Sequence, residues 1–149
     1  IDLNDFRLDF AKKFCAKVIR SDDVTLSKTV LDSTDQRGVD IVIIATGNLK
    51  ALTEAINIVR KGGIIVMFGV PTKGETIEID MSPVYYKEIS IVTTYAASDK
   101  DTKNALELIS SEKINVKLLI THKYALIDSQ KAFEHAKSGD QSMKIIIEN

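Results

Sequence analysis

Val39 to Pro71, VDIVIIATGNLKALTEAINIVRKGGIIVMFGVP, decides the fold, because it reads in succession as strand, turn, helix and strand. Val39 to Ala45 is an apolar run rich in β-branched residues, which suits a parallel, interior strand covered on both faces. Gly47 and Asn48 follow as turn and N-cap. Leu49, Leu52, Ala55, Ile56 and Val59 then fall at helical spacing, with Arg60 and Lys61 in the last turn and Gly62-Gly63 as the stop. Ile64 to Phe68 is a second buried strand. It ends in Gly69-Val70-Pro71, where the missing side chain at Gly69 would let a ligand touch the backbone. A right-handed βαβ unit of this kind predicts a doubly wound α/β sheet.

Upstream, Ile1-Asp2-Leu3 reads as the last residues of a strand, directly before a helix that Asn4 or Asp5 can cap. In that helix Leu8, Ala11 and Cys15 share one face, and Phe6, Phe10 and Phe14 widen it. Lys17 to Arg20 is expected as a short strand, and Ser21 to Gly38 as helix with a partial stripe of Val24, Leu26, Val30 and Leu31. Downstream of Pro71, a polar turn at Thr72 to Glu75 leads to a short exposed strand, Thr76 to Ile79. Ser82-Pro83 starts one or two helical turns through Tyr86. Ile89 to Tyr95 is the last strand of the sheet, and Asp99 or Lys100 to Glu112 is a helix with Ala105, Leu106, Leu108 and Ile109 at helical period. Leu118 to His122 reads as an isolated extended segment. Asp128 opens a helix through Lys137, with Ala132, Phe133 and Ala136 inward, which Gly139 ends; Met143 to Ile147 is a final strand.

The chain has 149 residues, 44% of them hydrophobic, enough to bury a core of about one domain with an appendage. A formal charge of -1 with no basic block supplies no electrostatic footprint for nucleic acid, and no apolar run approaches the ~20 residues of a membrane span. Cys15 is the only cysteine, so no internal disulfide or cysteine-based metal site forms. Nothing in the first residues reads as a signal peptide, and a reducing cytoplasm is the expected compartment. Cys15 fits a small buried apolar group better than a nucleophile.

The pattern resembles the C-terminal part of the medium-chain, zinc-dependent alcohol dehydrogenases, nearest their polyol (sorbitol-like) and threonine dehydrogenase branch. The resemblance is carried by Ile1-Asp2, Arg7-Leu8, Ala11-Lys12-Lys13, Asp40-Ile41-Val42 with Thr46-Gly47, Gly62-Gly63 to Val70-Pro71, Leu119-Ile120-Thr121-His122, Ala132-Phe133 and Lys144 to Ile147. It covers essentially the whole chain. It implies a dinucleotide-binding Rossmann domain over residues 1–114, and a segment over 115–149 that packs on a catalytic domain. Two departures stand out. The Gly-rich turn expected about 20 positions before the ribose-binding acid has no counterpart, nor do the first strand and helix, so the sheet is expected to lack its first strand. The zinc ligands of the family's catalytic domain have no counterpart either. A smaller departure is Cys15, where the family usually has a helix-ending glycine.

Each implied site residue has two readings. Asp2, at a strand end, would accept hydrogen bonds from the adenosine ribose and repel a 2′-phosphate, selecting NAD over NADP; alternatively it only favours the following helix N-terminus. Arg7 would lie beside the same ribose, could tolerate a 2′-phosphate, or could simply be solvated. Ala45, Thr46, Gly47 and Asn48, with Phe68, Gly69 and Val70, end adjacent parallel strands where doubly wound sheets bind ligands. The resemblance places the first group against a ribose and the second at the nicotinamide carboxamide; ordinary turn chemistry is the other reading. Thr93 and Tyr95 would face the nicotinamide, although Tyr95 could equally be core. Lys144 would reach the pyrophosphate or be a solvated lysine. His122 is expected to be structural and His135 exposed, with neither a metal ligand.

The implied activity is hydride transfer between NAD and a secondary alcohol or polyol, assisted by zinc in the intact enzyme. The competing expectation is a non-catalytic dinucleotide-sensing or interaction module. Ile89 to Tyr95 is apolar and free of Pro or charge, and as an edge strand it predicts a homo-dimer or tetramer. The chain by itself, with a gap at the sheet's centre, is expected to be destabilised or to oligomerise by edge pairing, and not to bind NAD detectably at micromolar concentration.

Overall fold

The computed structural model describes residues 1–14 and 17–149, so the readings of Cys15 lie outside the described residues. Two compact units emerge, one from Asp23–Ala96 and one from the two chain ends, Ile1–Asp22 and Ala97–Asn149.

In the Asp23–Ala96 unit the elements are α2 (Leu26–Asp32), β1 (Val39–Ile44), α3 (Lys50–Ile58), β2 (Val59–Met67), α4 (Ser82–Tyr86) and β3 (Ser90–Thr93). The three strands form one parallel sheet in the order β1-β2-β3. Its core is the cluster that the βαβ reading requires. Ile44 and Ile65 come from the strands, Leu52, Ala55 and Ile56 from one face of α3, and Val59, Val84 and Ile89 close it. Ile65 is fully buried. The strand expected over Thr76 to Ile79 does not form.

Two local expectations are corrected here. The first concerns α3, which stops at Ile58, leaving Arg60, Lys61, Gly62 and Gly63 inside β2. Val59 turns extended (φ -73°, ψ 142°) because its buried side chain belongs to the sheet, where it pairs with Val39. The cation at this helix end comes from elsewhere: Lys87 Nζ donates to the carbonyls of Ile56 (2.9 Å), Asn57 (3.3 Å) and Val59 (3.5 Å). The pairing then skips from Val39↔Val59 to Ile41↔Ile64, and Gly62 absorbs the irregularity at φ +65°, its N–H donating to the Lys87 carbonyl at 2.6 Å. The second correction is that β1 is an edge of this sheet, with Ile41 and Ile43 exposed, so its apolar run is not covered on both faces within the unit. At its amino end Asp40 is held well below the usual carboxylate range, first by hydrogen bonds from Arg37 and then by Arg60.

The other unit holds α1 (Asp5–Lys12), α5 (Asp99–Ser110), a 3₁₀ turn (Val116–Leu119), β4 (Ile120–Ala125), a second 3₁₀ turn (Leu126–Asp128), α6 (Ser129–Ser138) and β5 (Lys144–Glu148). Asn4 caps α1 by accepting from Arg7 N–H at 3.2 Å, and Leu8 and Phe10 are buried beneath it, whereas Phe14 is exposed. In place of a strand over Lys17 to Arg20 there is a single parallel bridge, Asp2↔Arg20. The segment at 118–122 is not isolated: its first residues are 3₁₀, and β4 pairs in parallel with β5. Helix α5 opens with a reciprocal capping box, Ser98 and Asp101, yet buries none of its apolar positions. In α6 only Ala132 is buried; Phe133, 70% exposed, and Ala136 face away, contrary to the inward stripe expected. Gly139 ends α6 as expected, in the left-handed conformation (φ +66°).

Candidate functional site

The carboxyl edge of β1 and β2 is built from backbone. Ile44 carbonyl accepts from both Phe68 N–H (3.1 Å) and Gly69 N–H (2.8 Å), and Met67 carbonyl accepts from Thr94 N–H at 3.2 Å. These bonds draw Ala45–Asn48, Phe68–Val70 and Thr93 into one row at the strand ends. A Cβ at Gly69 would land on the backbone of Thr46, and one at Gly47 would lie 2.5 Å from the Val70 carbonyl oxygen. The two glycines therefore let the two turns pack backbone to backbone, and the bare face of Gly69 is turned to Thr46. Within the first turn Thr46 Oγ1 accepts from Asn48 N–H (3.2 Å) and Asn48 Oδ1 from Lys50 N–H (3.0 Å), which starts α3. Phe68 and Val70 project into solvent beyond this row, and Tyr95 is 88% exposed, so the reading of Tyr95 as core does not hold. Fixed turns with exposed apolar side chains at parallel strand ends can hold a flat ring or ribose against the sheet edge.

Asp2 and Arg7 come together in the unit formed by the chain ends. Asp2 Oδ1 accepts from Asn4 N–H at 2.9 Å, while Arg7 Nη1 lies 3.8 Å from Asp2 Oδ2. The contact is a charge pair beyond hydrogen-bond length, so Oδ2 keeps its acceptor capacity and the guanidinium keeps its donors. This donor set fits a cis-diol, which donates to a carboxylate. Asn4 ties the group inward, its Nδ2 donating to the Gly139 carbonyl at 3.5 Å. Lys144 stands at the exposed start of β5 in the same unit, paired in register with Ile120; its carbonyl accepts from Thr121 Oγ1 at 3.3 Å. The structure thus assembles the implied residues as two groups, each in its own unit.

A third cluster escaped the sequence reading. His135, expected to be exposed, is half-buried: Nδ1 is 2.8 Å from the Tyr124 hydroxyl and Nε2 is 2.8 Å from the Asp140 carbonyl, to which it donates. Its ring meets His122 edge to face, with centroids 4.4 Å apart, and His122 Nδ1 is 3.1 Å from Thr121 Oγ1. The period of a strand puts His122 and Tyr124 on one face, but no local signal brings α6 to them. These contacts fasten α6 to β4. Among the described residues no three His, Cys, Asp or Glu side chains are grouped to hold a metal ion, so the described residues do not fit a zinc site.

Residues 1–111 match the family model described as zinc-binding dehydrogenase. The chain belongs to that family. Among curated relatives, the sorbitol dehydrogenase of Halalkalibacterium halodurans is 30% identical over 129 residues, which cover 87% of this chain and 37% of that protein. Among solved structures, the zinc dependent alcohol dehydrogenase 2 from Streptococcus pneumonia, an apo form, superposes with a TM-score of 0.87 at 34% identity, over 99% of this chain and 43% of its own. A short chain alcohol dehydrogenase from Escherichia coli CFT073, complexed with cofactor NADH, has the same fold (TM-score 0.84, 22% identity, 99% of this chain and 43% of that one). The chain thus spans about two-fifths of the length of the relatives it matches, and its parallel α/β sheet is part of their Rossmann domain. Among the described residues no helix is long and apolar enough to cross a membrane.

Proposed function

We propose that this chain is the cofactor-binding portion of an NAD-dependent dehydrogenase that moves a hydride between NAD and a secondary alcohol or polyol. The observation that carries the reading is the Asp2 carboxylate at the head of α1, one oxygen fixed by Asn4 N–H and the other left to accept from a diol, with Arg7 beside it. NAD, when bound, supplies the nicotinamide that takes or returns the hydride. Asp2 would accept from the ribose hydroxyls and repel a 2′-phosphate. Thr46 to Asn48 and Phe68 to Val70 would support the cofactor from the sheet edge, Thr93 and Tyr95 would bound its nicotinamide end, and Lys144 would meet the pyrophosphate charge. In this reading residues 1–114 serve the cofactor and 115–149 pack on a catalytic domain. The polyol class rests on the sorbitol dehydrogenase relative. Zinc assistance would belong to that catalytic domain; no residue of this chain is assigned to it.

The test is the full-length dehydrogenase with Asp2→Gly, comparing kcat/KM for NAD and NADP. The parent should prefer NAD, and the substitution should narrow the gap by about tenfold or more, the order of a charge-assisted hydrogen bond lost and a repulsion removed. A parent that prefers NADP, or a ratio that Asp2→Gly leaves in place, would overturn the reading.

A further inference from the structure

The Asp2–Arg7 group has a third wall that comes from the far end of the chain. Helix α6 closes on Gly139 in the left-handed conformation, with Gly139 N–H donating to the His135 carbonyl at 3.1 Å and His135 Nε2 holding the next carbonyl, Asp140, at 2.8 Å. That turn is pinned to Asn4 by the bond from Asn4 Nδ2 to the Gly139 carbonyl, and Asn4 is also the residue that caps α1 and fixes Asp2. The position a Cβ would take at Gly139 lies 3.4 Å from Arg7 Nη2. The guanidinium edge not turned toward Asp2 therefore lies over a glycine, and nothing from that glycine competes for its donors. Arg7 is nearly half exposed and is not hydrogen-bonded to Asp2, so it can lean toward the carboxylate or toward an incoming anion.

We propose that Gly139 is a specificity-determining position of the dinucleotide site: its bare Cα leaves the far edge of the Arg7 guanidinium open, and a carboxylate placed there would engage that edge and deny it to a 2′-phosphate. The proposal rests on the reading of Asp2 as the ribose-binding acid. An aspartate at 139 tolerates the left-handed backbone better than most residues, and its carboxylate, one bond beyond a Cβ already in contact with Nη2, would come within hydrogen-bond reach. It would stand closer to Arg7 than Asp2 does and add negative charge where a 2′-phosphate would lie. An asparagine has the same shape and the same backbone tolerance without the charge, and so separates strain from electrostatics.

The experiment uses the full-length dehydrogenase with Gly139→Asp, Gly139→Asn and Asp2→Gly. Dissociation constants for NADH and NADPH are read by nucleotide fluorescence, with thermal unfolding as the check on folding. Gly139→Asp should raise the NADPH constant about fivefold, the upper end for an exposed charge pair, with NADH changed less than about twofold. Gly139→Asn should leave the ratio of the two constants within about twofold, and Arg7→Gln should weaken the effect of Gly139→Asp to the part its own charge exerts. If Gly139→Asp does not fold, Gly139→Lys probes the same contact with opposite sign and should lower the NADPH constant by a similar factor. A ratio unmoved by the charged variants while Asp2→Gly shifts it overturns the role of Gly139 alone. A ratio unmoved by Asp2→Gly overturns the ribose reading and this inference with it.

Discussion

Replacing Gly69 with alanine tests whether the carboxyl edge is held together as described. Gly69 adopts a backbone conformation open to any residue, so the cost of a methyl there is steric and not conformational. The methyl would fall on the backbone of Thr46, which is not a side-chain tip that can swing aside. Relief requires the two turns to part, straining the two bonds that Phe68 and Gly69 donate to Ile44. Two such bonds are worth about 1 to 3 kcal/mol together, and overpacking against fixed backbone adds about 1 to 3 kcal/mol. Alanine restricts the unfolded chain and offsets about 0.4 to 1 kcal/mol of that, leaving a net loss of about 1 to 5.6 kcal/mol. Gly74→Ala is the contrasting case: its surroundings are open, and only its φ of +85° is strained, at about 1 to 2 kcal/mol. Urea unfolding of the full-length protein should show Gly69→Ala clearly the less stable of the two, its midpoint lowered by roughly 1 M with the slope unchanged. Equal midpoints for Gly69→Ala and the parent would refute the packing of the two turns.

Lys87→Met should cost about 1 to 3 kcal/mol in the same unfolding assay, because it strips the charged donor from the carbonyls at the end of α3; a loss below about 0.5 kcal/mol would mean that water serves them as well. Asp40 is depressed by Arg37 and Arg60, so its ionised form stabilises the fold above the ordinary carboxylate range near pH 4, and that contribution fades as pH falls toward its lower folded value. The stability difference between the parent and Asp40→Asn should accordingly be full at pH 7 and shrink below about pH 4; a difference that grew on acidification would contradict the sign. Strand β3 is an edge whose Ile91 and Val92 are exposed, and light scattering should find at least a dimer that Val92→Lys converts toward monomer, whereas a monomeric parent at micromolar concentration would end the edge-pairing argument.

The order of the helices and of β1, β2 and β3, the parallel pairing of β1 with β2, and both the Asn4 and Gly139 caps were legible because each is encoded locally: apolar runs, helical spacing and cap residues act over a few positions. What escaped was set by partners distant in the chain. Arg60 and Lys61 looked like the cations of α3, but Lys87, 28 to 31 positions from the carbonyls it serves, takes that place. His135 looked solvated until Tyr124 and the Asp140 carbonyl supplied partners for both ring nitrogens. The apolar pattern of α6 predicted burial for Phe133 and Ala136, and only Ala132 found a neighbour to bury it. At the site, the strand ends were legible from the βαβ pattern. The actual duty of Gly69 was not, since a one-dimensional pattern cannot say whether a bare Cα faces a ligand or the adjacent turn.

The bond between Asn4 and Gly139 spans 135 positions, nearly the length of the chain. The βαβ pairs need only short loops: β1 and β2 register about 23 residues apart, as do β4 and β5. Loop-closure entropy rises with the logarithm of length, so this contact costs more to close than either strand pairing. Chain closure therefore favours the two strand pairs over the wall that Gly139, at the end of α6, gives to Asp2 and Arg7. The binding of a ligand that needs Asp2, Arg7 and Gly139 together would report that both ends of the polypeptide have met.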